Sequence, residues 1–112
     1  MFMRTEYNKL VRDRIPEILE HAGCTYTITI MDEQEYQQAL RDKLCEEASE
    51  AASADPQHLI AELADLYEVI DALMVSNAID LATVRAEQEQ RRRERGGFVK
   101  RMRLLDTISE DW

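Results

Sequence analysis

Apolar residues recur with helical spacing along most of this chain and alternate strictly in one short stretch. Leu59, Leu63, Leu66, Ile70 and Leu73 follow at steps of four, three, four and three, the seam of an amphipathic helix. That helix is predicted over about 56–77, because Asp55 can cap it and Pro56 suits its first position. Before it, Asp32 caps a long helix reaching about Ala54. A short helix, Ile15 to Ala22, is stopped by Gly23, and a fourth is capped by Asp80 and ends at about Arg95 before Gly96-Gly97. Cys24-Thr25-Tyr26-Thr27-Ile28-Thr29-Ile30 alternates and is rich in β-branched residues, which predicts a strand. The tail 98–105 is the expected partner, in a small two-stranded β element beside the helices. A second apolar stripe, Ile60, Tyr67 and Met74, widens the third helix beyond what one neighbour covers. The expectation is a mainly α, single-domain chain, 1–112, whose helical bundle is completed by oligomerisation as a homodimer or homotetramer.

Acids interrupt these apolar faces at particular places. Glu47 and Glu50 form one i, i+3 pair, and Glu62 and Asp65 form another on the next helix. At about 100° per residue, Glu62 lies roughly 20° from Val69 and Leu73, inside the edge of the apolar arc. Glu47 projects between Tyr36 and Leu40 in the same way. The reversal at Ala54-Asp55-Pro56-Gln57 returns the two pairs to similar heights on antiparallel helices. Carboxylates gathered on an apolar face are costly to ionise unless a cation is present. Oxygen-only ligation points to Mg²⁺, with Mn²⁺ as the alternative, held by Glu47, Glu50, Glu62 and Asp65. His21 and His58 are not spaced with these acids as a ligand set.

Charge along the chain separates into three zones. The net charge of −9 is concentrated in residues 15–84, where fifteen acids face only Arg41 and Lys43. Arg4, Lys9, Arg12 and Arg14 precede this zone, and Arg85, Arg91, Arg92, Arg93, Arg95, Lys100, Arg101 and Arg103 follow it. An acidic, cation-gathering centre between basic ends suits a polyanionic, metal-bound ligand such as a nucleoside triphosphate. Cys24 and Cys45 match no metal spacing and are expected as reduced structural thiols. The start of the sequence lacks the apolar run of a signal peptide and no stretch is long enough to span a bilayer, so a cytoplasmic location is expected.

Glu46-Glu47-Ala48-Ser49-Glu50 followed by Glu62-Leu63-Ala64-Asp65 resembles the signature of the all-α nucleoside triphosphate pyrophosphohydrolases, the MazG-like superfamily. Tyr7-Asn8-Lys9-Leu10-Val11-Arg12-Asp13-Arg14-Ile15-Pro16 and Arg95-Gly96-Gly97-Phe98-Val99-Lys100-Arg101 look like the ends of a small phosphoribosyl-ATP pyrophosphohydrolase-like, house-cleaning subfamily. The resemblance implies a MazG-like bundle and Mg²⁺-dependent cleavage between the α and β phosphates, giving a nucleoside monophosphate and pyrophosphate. By position it implies Glu47, Glu50, Glu62 and Asp65 as metal ligands, and Glu46 with Glu47 as the catalytic pair. One turn before Glu50, Glu46 could orient or deprotonate a water. One departure stands out: Tyr67-Glu68-Val69-Ile70 follows the second acid pair, where the histidine-biosynthesis enzymes tend to carry a histidine. That counts against phosphoribosyl-ATP itself as the substrate.

The departing phosphates need basic partners. Lys9, Arg12 and Arg14 from one end motif, and Arg95, Lys100 and Arg101 from the other, are the candidate substrate-binding residues. Arg91-Arg92-Arg93 occupies consecutive helical positions and cannot all face one ligand. A rival expectation makes the arginine-rich segment 85–103 a nucleic-acid-binding or non-catalytic interaction surface, though no aromatics are interleaved with its arginines.

Overall fold

The computed structural model describes residues 2–110, and its regular structure is entirely helical. Four helices follow in chain order: α1 (Ile15–His21), α2 (Glu33–Ser53), α3 (Leu59–Ser76) and α4 (Leu81–Arg95). The chain divides into two compact units, Met1–Ala78 and Ile79–Trp112. No helix of the described residues is long and apolar enough to cross a membrane.

Local sequence sets the helix ends of the first unit. Asp32 and Glu35 form a reciprocal capping box, with Glu35 N–H donating to Asp32 Oδ1 at 2.8 Å and Asp32 N–H to Glu35 Oε1 at 3.2 Å. At its other end α2 stops where Ala54 turns extended (ψ 143°), ahead of Pro56. The next helix begins later than its proline predicts. Asp55 Oδ1 accepts from His58 N–H at 3.0 Å and closes a turn over residues 56–58, so that α3 starts at Leu59. Gly23 ends the α1 segment at φ 77°, in the left-handed region open to a residue without Cβ.

Packing in this unit is the antiparallel pairing of α2 with α3. Its buried side chains are Leu40 and Glu47 on α2 and Val69 on α3, at 2%, 7% and 7% exposure. Leu40 precedes Glu47, and Val69 follows Glu62, by two helical turns, so each acid shares its helix face with a core residue. The leucine seam is only partly covered: Leu66, Ile70 and Leu73 are half-buried, whereas Leu59 and Leu63 are exposed. Ile60 and Tyr67, from the second stripe, stand 81% and 55% exposed.

In the second unit, α4 has no buried residue and is supported along its own surface. Arg91 pairs with Glu87 at 3.2 Å and Arg93 with Glu89 at 3.6 Å, each acid one turn ahead of its arginine.

Two expectations need correction. Neither 24–30 nor 98–105 forms a strand, so the two-stranded β element is absent among the described residues. Alternation specifies what a strand's faces would be, but a ladder needs a partner edge, and Ile28 and Ile30 remain exposed. The cysteines are free as expected, yet both are exposed rather than packed into a core.

Candidate metal centre

The helical hairpin brings residues distant in sequence to one height. At its far end Gln37 Nε2 donates to the Ser76 carbonyl at 3.2 Å, and Asn77 Nδ2 donates to Gln37 Oε1 at 3.2 Å. Carried along the antiparallel pair, this register sets Glu47 of α2 opposite Glu62 and Asp65 of α3. One carboxylate oxygen from each of these three lies within 4.8 Å of the others. Ligands about 2.1 Å from one Mg²⁺ stand at most about 4.2 Å apart, so small side-chain rotations close the triad around an ion.

Two oxygens in this cluster have nothing to bind. Glu47 Oε2 and Glu62 Oε2 are buried without a hydrogen-bond partner. An orphaned buried polar atom costs about 1–3 kcal/mol, and more when the group is charged. Burial first, then the charge of Glu50, pushes the Glu47 carboxyl above its ordinary value of 4.5, with Lys43 opposing. A hard divalent cation removes both penalties, and an all-oxygen donor set fits Mg²⁺ or Mn²⁺.

Glu50 stands outside the triad. It is exposed, set about 60° around α2 from Glu47, and acts on it through its charge. Glu46 is half-buried beside the triad, between two ammonium groups. Lys9 Nζ donates to Glu46 Oε1 at 3.3 Å, and Lys43 Nζ lies 3.6 Å from Glu46 Oε2.

Lys43 also lies 3.5 Å from Glu47 Oε1, with its side chain only 20% exposed. This lysine is not among the basic residues that the end motifs single out. The signal was available, since Lys43 precedes Glu46 and Glu47 by three and four residues on one helix.

The N-terminal basic motif divides between two destinations. Arg12 Nη2 donates to Asp65 Oδ1 at 2.7 Å, so Arg12, like Lys9, reaches the acids. Arg14 instead turns to its own helix and donates to Glu17 Oε1 from Nε at 3.2 Å and Nη2 at 2.7 Å. Arg95, Lys100 and Arg101 belong to the second unit, where all three are exposed.

Comparison with known proteins adds to this geometry. The family model described as phosphoribosyl-ATP pyrophosphohydrolase matches residues 4–92, a span that includes both acid pairs and the N-terminal motif from Tyr7 onward. An uncharacterised protein of Mycolicibacterium smegmatis is 43% identical over 54 residues, which are 48% of this chain and 55% of that protein. The chain therefore spans about half the length of the curated relative it matches. No solved structure matches it significantly.

Proposed function

The chain belongs to the phosphoribosyl-ATP pyrophosphohydrolase family, and we propose that it hydrolyses a nucleoside triphosphate or related nucleotide between the α and β phosphates. The products are a nucleoside monophosphate and pyrophosphate, and the role is house-cleaning. The observation that carries this reading is the buried Glu47 carboxylate, grouped with Glu62 and Asp65 and left with an orphaned oxygen.

Glu47, Glu62 and Asp65 would hold Mg²⁺, with Glu50 completing the anionic surround. When bound, the cation supplies charge neutralisation for the phosphates and Lewis acidity. Glu46 borders the triad, with its direction fixed by Lys9 and Lys43. There it accepts the proton of the water that attacks the α phosphorus. The bond from that phosphorus to the bridging oxygen breaks, and pyrophosphate leaves with the electron pair. Lys9 and Arg12 offer charge to the departing group, and Arg12 adds the planar fork that suits phosphate oxygens. Arg14, Arg95, Lys100 and Arg101 are further candidates for the same polyanion.

A second copy of the chain completes the helical bundle in this reading. The exposed Ile60, Leu63 and Tyr67 on α3 supply the apolar face for it.

The test is a pyrophosphate-release assay over canonical and damaged nucleoside triphosphates and phosphoribosyl-ATP, with and without Mg²⁺. Release from at least one nucleotide, dependent on Mg²⁺ and lost in Glu47→Gln with helical content intact, is the expected result. Release that persists in that variant would overturn the assignment.

A further inference from the structure

Asp65 carries two demands at once: it belongs to the acid triad, and its Oδ1 accepts a 2.7 Å bond from Arg12. These partners are separated by 53 residues, so the pairing is made by the fold and not by helical spacing. The guanidinium and a divalent cation would be drawn to the same carboxylate, and at that separation they repel each other. Arg12 can yield. Its side chain is 57% exposed, and residues 9–12 have no helix or strand to hold them. Its backbone, however, is fixed, because the Arg12 carbonyl accepts the Ile15 N–H at 3.1 Å where α1 begins. A displaced guanidinium therefore stays beside the site. Lys43 has no such freedom, since its stem lies on α2 and its side chain is largely covered.

We propose that Arg12 and a divalent cation compete for the Asp65 carboxylate, and that cation entry frees the Arg12 guanidinium to bind the phosphates of the substrate. This inference rests on the metal reading above and adds to it an order of events, cation before polyanion. In the metal-free protein Arg12 partly neutralises the triad. In the loaded protein the same group turns to the incoming anion, which matches the preference of a guanidinium for phosphate oxygens.

Isothermal titration of Mn²⁺ into the full chain, followed by pyrophosphate into the Mn²⁺-saturated protein, tests it. Arg12→Gln should bind Mn²⁺ about two- to fivefold tighter, the factor an exposed ion pair of ordinary strength can withhold. The same variant should then bind pyrophosphate at least about tenfold more weakly, as expected for loss of a charge-assisted contact. Arg4→Gln, which makes the same charge change next to a different partner, Glu6, should bind Mn²⁺ as the wild type does. Unchanged or weaker Mn²⁺ binding in Arg12→Gln overturns the competition, and unchanged pyrophosphate binding overturns the release step. Absence of Mn²⁺ binding in both wild type and variant overturns the metal reading itself, a separate result. If circular dichroism shows Arg12→Gln unfolded, Arg12→Lys serves instead. It keeps the charge but lacks the planar fork, and should show the pyrophosphate loss with a smaller change in Mn²⁺ affinity.

Discussion

Glu47 on α2 and Glu62 on α3 face each other with the same defect: each keeps its Oε2 atom buried and without a hydrogen-bond donor. Among the described residues these are the buried side-chain oxygens left without a partner. By contrast, Glu17, Glu35 and Asp55 each accept from a guanidinium, a backbone amide or an imidazole nearby. The unserved pair lies where the helices converge, beside an Asp65 already bound to Arg12. Destabilisation concentrated at one place, and removable by a cation, leads to the expectations below.

Mg²⁺ should raise the melting temperature of the wild-type chain, and Glu47→Gln or Glu62→Gln should each remove most of that rise. Turnover should fall by more than the roughly 10- to 100-fold cost of losing a group that only orients a ligand. Differential scanning fluorimetry across a Mg²⁺ titration, paired with pyrophosphate release, reads both effects. A variant that keeps the full Mg²⁺ response would remove its residue from the ligand set.

The pH dependence of stability should show Glu47 as a liability. Burial and the Glu50 charge hold its folded-state value above the ordinary 4.5, so above that pH the folded chain retains a proton that the unfolded chain has lost. The contribution is thus full below about 4.5 and is lost as pH rises through the folded-state value. In metal-free buffer, wild-type stability should fall relative to Glu47→Gln as pH is raised from 4.5 towards neutrality. Saturating Mg²⁺ should reverse the trend, since the ion selects the charged carboxylate. Urea denaturation at several pH values checks the sign, and parallel curves for the two proteins would count against the assignment.

Lys43 offsets part of the charge on Glu46 and Glu47 from within the same helix. Lys43→Gln should lower metal-free stability by about 0.5–1 kcal/mol, above the usual value for an exposed i, i+4 pair because this lysine bridges two carboxylates and is largely covered. The loss should shrink when Mg²⁺ is present, because the cation takes over the neutralisation. Chemical denaturation in chelator and in Mg²⁺ gives the comparison.

Ile60 projects from α3 with 81% of its surface free, on the side expected to meet a second copy. Ile60→Asp should weaken self-association by roughly 10- to 100-fold, matching about 1.5–3 kcal/mol for a buried aliphatic side chain. Sedimentation velocity over a dilution series reads the change, and a wild-type chain that remains a monomer at high concentration would count against a completed bundle.

Local rules carried the secondary structure far. The capping box at Asp32, the stop at Gly23 and the helix ends at Ser53 and Arg95 follow from residues within a few positions of one another. The helical wheel was equally informative about Glu47 and Glu62, because angular position on a helix is fixed by sequence spacing alone. Where a competing local interaction exists, the helix boundary shifts. Pro56 fits the first turn of a helix, but the Asp55–His58 turn delayed α3 to Leu59.

What the chain alone determined, then, is which residues are helical and which acids share a face with the core. The fold decided which of those acids meet: Glu47, Glu62 and Asp65 converge while Glu50, rotated about 60° around α2, stays outside. It also decided that Arg12 reaches Asp65 while Arg14, two residues later, turns to Glu17, and that 24–30 finds no partner strand. Helical periodicity and capping act over one or two turns and are written in adjacent residues. Charge pairing across 53 residues and ladder formation depend on which surfaces tertiary packing brings together, and no local spacing encodes that.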